Sequence, residues 1–512
     1  MRIAKSAAMT LAAVLLLPLV SMAIIPFYDT SEPRYAEIAR VMAQGGDWIT
    51  PWFSPGIPFW GKPPLSFWAQ ALSMKAFGFT EFAARLPSWI CLLVSVAILQ
   101  AGVRRLYGPR IAMTSALVYS TCTLAYISSG AVLTDPFLAL GTTLSLVAFA
   151  VVAAKESETA AGTAAAFMGT RTERGTSGLR GLSWWRYGFF IGLALGLLAK
   201  GPLAAVLIGA PALVWRALRW RHQPAAVPLP WVKGLALVAA LTLPWYLMAE
   251  LKTPGFLDYF ITGEHFRRFL DPGWQGDLYG TAHRRAHGTI WLYWLQAAFP
   301  WSLLVLTGLI GAVFSVRLRL ALHAAARARL FHYWLAAALV TPAFFTFSAN
   351  ILWTYLLPSL AGFSVLTALL LDAVHIEAGR PRRLLTACVL TVPSIVLVAS
   401  VLAWAFPDLR DTERGLVRYA NGLDAGSTQL HYLGELPFSA RFYSGGMAGE
   451  LEPAALGGAA ACGKPFLLAI PKDERNQVSS MLGGSFTPLY SNRRYILVKV
   501  VPKGSCPPSR HL

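Results

Sequence analysis

The sequence predicts a polytopic α-helical membrane protein ending in a small α/β domain, and three observations carry that reading. Hydrophobic residues make up 55% of the 512 and charged residues 13%, with a mean hydropathy of +0.51. That balance suits a bilayer interior better than a soluble core. Apolar stretches of the roughly 20 residues that cross a bilayer recur along the chain. Basic clusters stand at every second end of those stretches, the pattern of cytoplasmic loops.

Spans are expected at 7–25, 86–103, 111–128, 131–154, 184–199, 202–217, 232–250, 291–315, 331–348, 351–372 and 384–406, within a total of about 11 to 13 transmembrane helices. The pairs flanking Gly130 and Lys200 read as tight hairpins. The first span follows only Arg2 and Lys5 and shows no small-residue cleavage site before Pro26, so it reads as an uncleaved anchor. The cytoplasmic clusters are Arg2 with Lys5, Arg104 with Arg105 and Arg110, Lys155 through Arg186, Arg216 to Arg221, Arg317 to Arg329, and Arg380 to Arg383. Residues 26–85, 251–290 and everything after about 407 then face away from the cytoplasm. The chain divides into a membrane domain, 1–406, with 26–85 as its first external loop, and an external domain, 407–512.

In that last domain, apolar runs at 429–443, 465–471 and 495–501 between Gly/Ala-rich turns predict short strands with helices. The loop at 156–183, rich in Gly, Thr, Ala and Arg, is expected to be disordered. The net charge of +19 is spread over short loops without aromatic interleaving, which argues against nucleic acid and for anionic lipid headgroups as the partner. Five cysteines show no metal-ligand spacing: Cys91, Cys122 and Cys388 lie in spans as small apolar residues. Cys462 and Cys506 fall in the external domain, where they either pair as a disulfide or stay free thiols.

The first loop carries two helical patterns: Tyr35, Ile38, Ala39 and Met42 after Pro33, then Leu65, Trp68, Ala69, Leu72 and Ala76 after Pro63 and Pro64. Both are expected to lie flat at the membrane surface, anchored by Trp48, Trp52, Phe53, Phe59 and Trp60 as an aromatic belt. Beside the spans, the topology places Asp29 with Glu32, Lys62, Asp135, Lys200 and Tyr355 on one external face. Charge next to hydrocarbon is costly and marks functional sites, so these placements point to one assembled site. Each residue also has a plainer reading. Asp29 or Ser31 would serve as a helix cap, Lys62 and Lys200 as interfacial anchors, and Asp135 as half of an ion pair with Arg34 or Arg40.

The motifs are more specific than these placements. Asp29-Thr-Ser-Glu32-Pro-Arg34-Tyr35, Gly46-Asp47-Trp48, Lys62-Pro63-Pro64-Leu65, Arg85-Leu-Pro87, Thr134-Asp135-Pro136, Ala199-Lys200-Gly201-Pro202, Glu264-His265-Phe266-Arg267-Arg268-Phe269 and Thr354-Tyr355 follow in order along the chain. This series resembles the GT-C lipid-linked glycosyltransferases. It is most similar to the branch of bacterial aminoarabinose transferases acting on lipid A, with protein O-mannosyltransferases more distant. The resemblance implies a GT-C fold in the bacterial inner membrane, with the site and the C-terminal domain facing the periplasm. A sugar would pass from a polyprenyl-phosphate donor to lipid A or a related envelope glycolipid, or to a protein or other surface glycan.

Such a reaction needs an acid–base group and a cation cradle for the leaving phosphate. The resemblance assigns the first need to Asp29, Glu32 or Asp135, and substrate binding to Arg34, Lys62, Lys200, His265, Arg268 and Tyr355. Two departures stand out. Gly61 occupies the place where family members often carry a glutamate before the lysine, which leaves a divalent metal an open question, and Asn350 replaces a lysine. His287 reads as a hydrogen-bonded interfacial residue. A secondary transporter would also place charge in spans, but it predicts inverted repeats and midplane charges, neither of which is visible; a noncatalytic scaffold would leave these motifs without a common purpose.

Overall fold

The computed structural model describes residues 2–167, 182–219, 227–281, 283–375, 382–406, 410–423, 428–461, 464–481 and 488–502. Its first half is helical: α1 (Arg2–Ile24), α2 (Ser31–Gly45), α3 (Leu65–Phe77), α4 (Glu81–Tyr107), α5 (Pro109–Thr121), α6 (Thr123–Ser129), α7 (Asp135–Phe167), α8 (Leu182–Lys200), α9 (Leu203–Leu218) and α10 (Trp231–Lys252). A π-helical turn, Asp258–Arg267, runs into α11 (Arg268–Leu270). Then come α12 (Thr289–Ala297), α13 (Trp301–Phe314), α14 (Val316–Ala326), α15 (Phe331–Phe345), a 3-10 turn Trp353–Ser359, α16 (Leu360–His375) and α17 (Arg382–Ala405).

Among the described residues, six helices are long and apolar enough to cross a membrane, or up to eight if the bent pairs α5–α6 and α12–α13 are each one span. The chain is a multi-span membrane protein. The two bends, 68° and 107°, meet each other. The Phe299 carbonyl, at the second break, accepts from both the backbone N–H and the hydroxyl of Thr123 at the first, each at 3.0 Å. Trp301 Nε1 donates to Thr121 Oγ1 at 2.9 Å. Backbone groups freed by a broken helix need such partners where water is scarce. The α7–α8 hairpin packs by small residues: a Cβ on Gly192 would lie 2.4 Å from the Gly141 carbonyl, so only glycine permits that approach.

The expected disorder at 156–183 holds for none of its first part, since α7 continues as helix to Phe167; 168–181 lie outside the described residues. So do Cys462 and Cys506. Cys91, Cys122 and Cys388 are buried free thiols.

In the first loop the two predicted helices form as α2 and α3, but the aromatic belt does not. Phe59 is buried with Ile38, Met42, Phe67 and Met74 in one core, and Trp48, Phe53 and Trp60 pack against it. Trp52 donates to Asp47 at 2.8 Å. These rings turn inward because α2 and α3 offer each other an apolar face, which buries more hydrophobic area than a surface position would.

After Ala405 the chain builds α18 (Arg414–Leu423), β3 (Leu430–Leu433), α19 (Phe438–Tyr443), β4 (Gly449–Leu451), α20 (Leu456–Ala461), β5 (Phe466–Pro471), α21 (Arg475–Met481), β6 (Tyr490–Ser491) and β7 (Tyr495–Val500); β1 (Trp52–Ser54) and β2 (Ile57–Pro58) form a small hairpin in the first loop. The sheet order is β4-β3-β5-β7-β6, parallel for β3 with β4 and β5 and antiparallel around β7. Alternate residues of β5 face two cores, Leu467 and Ala469 one and Leu468 and Ile470 the other, as a sheet covered on both faces requires. The expected strand at 429–443 ends at Leu433: Gly434 turns the chain at φ 72°, and residues 438–443 start a helix after Pro437.

Candidate functional site

Three buried ionic assemblies occupy one end of the bundle, and each draws on different parts of the chain. The first is a cavity of about 510 Å³ between the π-helical turn, the α8–α9 hairpin, α15 and the 3-10 turn. Lys62, Lys200, Glu264, His265, Arg268 and Tyr355 supply its polar wall, and residues such as Leu203, Val206, Phe269, Leu270 and Phe344 its apolar wall. Five of these six polar residues were legible as candidates in the sequence.

Glu264 organises the cations. Its carboxylate meets Lys62 Nζ at 2.9 Å and Arg268 at 3.0 Å, and Arg268 reaches Asp277 at 3.0 Å. Burial alone would raise the Glu264 pKa, but Lys62 and then Arg268 reverse that and bring it to about 2. The Arg268 guanidinium sits above its ordinary value: burial lowers it, and Tyr355, Glu264 and Asp277 more than offset that. Its Nε is buried without a hydrogen-bond partner, an orphaned donor that an anion would satisfy. Lys62 Nζ also donates to the Gly61 carbonyl. A Cβ at Gly61 would press against the Phe59 ring at 3.0 Å, so the carboxylate beside Lys62 comes from Glu264 and not from the preceding position.

Lys200 ends α8 and forms an ion pair with Asp135 at 3.1 Å, both side chains about nine-tenths buried. Its ammonium lies 5.5 Å over the Tyr355 ring, within cation–π range. The expected pairing of Asp135 with Arg34 or Arg40 is therefore wrong. Arg40 is closed on Glu37 at 2.6 Å, one helical turn away, and Arg34 donates to the Tyr279 carbonyl; local partners win where the helix already holds them in reach. His265 ties the hairpin to the π-helical turn, with Nδ1 2.7 Å from the Phe260 carbonyl and Nε2 2.9 Å from the Lys200 carbonyl. Burial holds its pKa below the ordinary imidazole value, against the two carbonyls. Gly201 takes φ 68°, and a Cβ there would lie 2.6 Å from the Phe260 ring, so the turn that presents Lys200 depends on glycine.

The second assembly holds Glu32. Arg85, 1% exposed, donates to it at 3.1 and 2.8 Å and also to the Ile25 carbonyl at 2.6 Å. The Val132 N–H donates to the same carboxylate at 2.8 Å, linking it to the turn before Asp135. Glu32 does not line the cavity. The third assembly holds Asp29, which accepts from the Ser439 N–H and hydroxyl at 2.9 and 2.6 Å and pairs with Arg494 at 2.5 Å. Asp29 therefore faces the C-terminal domain and does not cap α2. Arg494 also holds Glu413 at 2.8 Å, whose pKa burial still keeps above the ordinary carboxylate range.

Sequence reasoning missed Glu264, Asp277 and Arg85 as site members. Glu264 and Arg85 stood inside quoted motifs, and the signal available was a buried-type charge next to a known candidate; Asp277 carried none. Asn350 donates to the carbonyls of Arg268 and Asp271 at 2.7 and 2.8 Å and accepts from the Gly273 N–H at 3.0 Å, bracing the loop that carries Arg268. His287 lies at the surface against the Thr346 carbonyl at 3.1 Å. Among the described residues no group of three or more His, Cys, Asp or Glu side chains is placed to hold a metal ion; Glu264 and Asp277 spend their oxygens on Lys62 and Arg268.

Residues 26–260 match the family model described as dolichyl-phosphate-mannose-protein mannosyltransferase. An undecaprenyl phosphate-alpha-4-amino-4-deoxy-L-arabinose arabinosyl transferase of Pseudomonas aeruginosa PAO1 is 31% identical over 346 residues, 65% of this chain and 54% of that protein. The corresponding transferase 1 of Pseudomonas fluorescens Pf0-1 is 30% identical over 361 residues, 69% of this chain and 54% of that protein. The chain thus spans about half the length of these curated relatives. The crystal structure of ArnT from Cupriavidus metallidurans bound to undecaprenyl phosphate superposes with a TM-score of 0.71 at 16% identity, covering 98% of this chain and 99% of that one. Its apo form gives 0.70. This likeness extends over both the helical bundle and the C-terminal sheet.

Proposed function

Because the chain belongs to the lipid-linked glycosyltransferases of the GT-C fold, we propose that it moves a sugar from a polyprenyl-phosphate donor to lipid A or a related envelope glycolipid. The observation that carries this reading is the amphipathic cavity, where three cations and one orphaned guanidinium N–H stand at the end of an apolar wall. A lipid phosphate has that same division, a charged head on a long hydrocarbon. The curated relatives are named for undecaprenyl phosphate and aminoarabinose.

In this reading the donor phosphate lies against Lys62, Lys200 and Arg268, with its prenyl chain along Leu203, Val206 and Phe269. An acceptor oxygen attacks the anomeric carbon, the bond from that carbon to the phosphate oxygen breaks, and the negative charge returns to the polyprenyl phosphate. The cations stabilise that charge as it develops, and the carboxylates Glu264, Asp277 and Asp135 hold them in place beforehand. A phosphate acceptor would attack already ionised; a hydroxyl acceptor needs a base, and Glu32, whose side chain is 21% exposed beside Arg85, is the carboxylate assigned to it here. Arg34 would order the loop that ends at Tyr279. The basic clusters support placing this site and the C-terminal domain on the periplasmic side of the inner membrane.

Mass spectrometry of lipid A from cells with and without the gene tests the proposal. Loss of one sugar from lipid A, with build-up of the donor lipid, is the expected result. An unchanged lipid A together with a protein that loses a glycan would favour the second reading, transfer to protein, which the mannosyltransferase model matched over 26–260 keeps in play.

A further inference from the structure

Residues 25–30 join α1 to α2 and lead the chain into Glu32, and both halves of the protein hold them. From the membrane domain, Arg85 donates to the Ile25 carbonyl at 2.6 Å and to the Pro26 carbonyl at 3.3 Å, and its guanidinium lies 4.8 Å over the Phe27 ring. From the C-terminal domain, the Tyr443 hydroxyl accepts from the Phe27 N–H at 2.7 Å, and the Asp411 carbonyl accepts from the Asp29 N–H at 3.0 Å. Phe442 meets the Phe27 ring edge-on at 4.9 Å. Phe27 is fully buried between the two domains.

Tyr443 also reaches past this linker. Its hydroxyl donates at 3.0 Å to Glu81, the first residue of α4, and Arg85 lies one helical turn further along that helix. Arg414 of α18 stands 3.3 Å from the same Glu81 carboxylate and donates to the Ile24 carbonyl at 3.4 Å. One phenol therefore ties together the two segments that meet at Glu32: the linker that delivers the carboxylate and the helix that supplies its arginine. Arg85 and the Val132 N–H then hold both oxygens of Glu32. Apolar contact between Phe27 and Phe442 would be enough to join two domains. A hydroxyl matched to a donor on one segment and an acceptor on the other does more, because it fixes the distance between them.

We propose that Tyr443 is a positioning residue for transfer, holding the linker against α4 so that the Glu32 carboxylate stays in one place while the acceptor attacks. The inference rests on the role proposed for Glu32. It gives the C-terminal domain a part in the reaction without any contact to substrate: loss of the Tyr443 bridge would free the linker, and Glu32 would drift from the Val132 amide. A displacement on the order of 1 Å costs up to about a hundredfold in rate.

Tyr443→Phe tests this, since it removes only the hydroxyl and the ring keeps its neighbours Phe27 and Phe442. In the full-length protein in detergent, hydrogen–deuterium exchange at the Val132 amide should rise at least about fivefold, with exchange in β5 and β7 as in the parent. Turnover from undecaprenyl-phosphate aminoarabinose to lipid A should fall about ten- to a hundredfold, with KM within about twofold of the parent. That loss should vanish in a Glu32→Gln background, because the hydroxyl acts through Glu32. Exchange at Val132 equal to the parent would overturn the inference, as would unchanged turnover or a loss of the same size in both Glu32 backgrounds. A parent that moves no sugar to lipid A would sink the transferase reading instead, and exchange at Val132 would still decide whether Tyr443 holds the carboxylate. Should Tyr443→Phe raise exchange in β5 and β7 as well, Arg414→Gln, which frees Glu81 and the Ile24 carbonyl from α18, is read by the same comparison.

Discussion

Lys62 and Glu264 lie 202 positions apart in the chain and meet at 2.9 Å. The same carboxylate reaches Arg268 at 3.0 Å and accepts from the Tyr259 hydroxyl at 3.3 Å. One buried anion therefore sets the positions of two cations that come from different loops, before any substrate arrives.

The first prediction concerns pH. Glu264 is held at about 2, below its ordinary 4.5, so its contribution to stability is complete above the ordinary value and is lost as pH falls from there through 2. The melting temperature of the parent should exceed that of Glu264→Gln most above about pH 5. That gap should close toward pH 2. A gap independent of pH would mean that the carboxylate is not stabilised by its cations.

Donor affinity should depend on the shape as well as the charge of the cationic wall. Lys62→Ala is expected to weaken binding of a labelled polyprenyl phosphate by about ten- to a hundredfold, and acceptor binding much less. Arg268→Lys keeps the charge but loses the orphaned Nε donor and the planar fork, so it should also weaken donor binding by about tenfold. Donor affinity equal to the parent in both variants would remove phosphate binding from this cavity.

Asp29 and Glu32, three positions apart, should fail in different ways. Glu32→Gln is expected to keep the fold and lose roughly a hundredfold in turnover. Asp29→Ala leaves Ser439 without its acceptor and Arg494 with Glu413 alone, and should destabilise docking of the C-terminal domain by about 1 to 3 kcal/mol, seen as faster proteolytic release of residues after 413. If Asp29→Ala melts and resists protease like the parent while turnover collapses, the residue acts on substrate instead.

Asn350→Lys restores the residue that the family resemblance expects, yet it should lower stability. The side chain makes three hydrogen bonds to the 268–273 loop, and a lysine reproduces none of the accepting contact and overfills a site where Asn350 is 3% exposed. A loss of about 1 to 3 kcal/mol is expected by thermal unfolding. A gain in both stability and activity would show that the loop adapts.

Orientation is open to labelling. A single cysteine at Gly255 should react with an impermeant reagent from the periplasmic side, and one at Ala328 only after the membrane is opened. The reverse pattern would invert the assignment of the donor cavity.

Much of this architecture was legible residue by residue. Apolar length marked the helical segments, because a bilayer demands about 20 residues of hydrocarbon whatever the fold, but it did not show that the stretches at 111–128 and 291–315 are bent by 68° and 107°; the breaks at Gly130 and Lys200 appear where small residues and charge interrupt the pattern. The residues of the donor cavity were likewise visible, since charge beside hydrocarbon is rare enough to mark itself. The partners were not. Whether Asp135 would find Arg34, Arg40 or Lys200 depends on which groups the folded bundle brings within about 4 Å, and local pairs such as Arg40 with Glu37 remove competitors that sequence leaves in play.

The aromatic residues of the first loop show the same limit from the apolar side. A tryptophan or phenylalanine near a membrane suits an interfacial belt and a buried core equally by composition, and only the facing of α2 on α3 turned Phe59 and Phe67 inward. Thus the sequence by itself determined the membrane class and which charges were exceptional, because those follow from transfer of single residues and short segments out of water. The tertiary structure decided that Asp29 serves the C-terminal contact, that Glu264 joins Lys62 to Arg268 and that Asp135 belongs to Lys200, because ion pairing falls off over a few ångströms and those separations exist only once distant loops have packed.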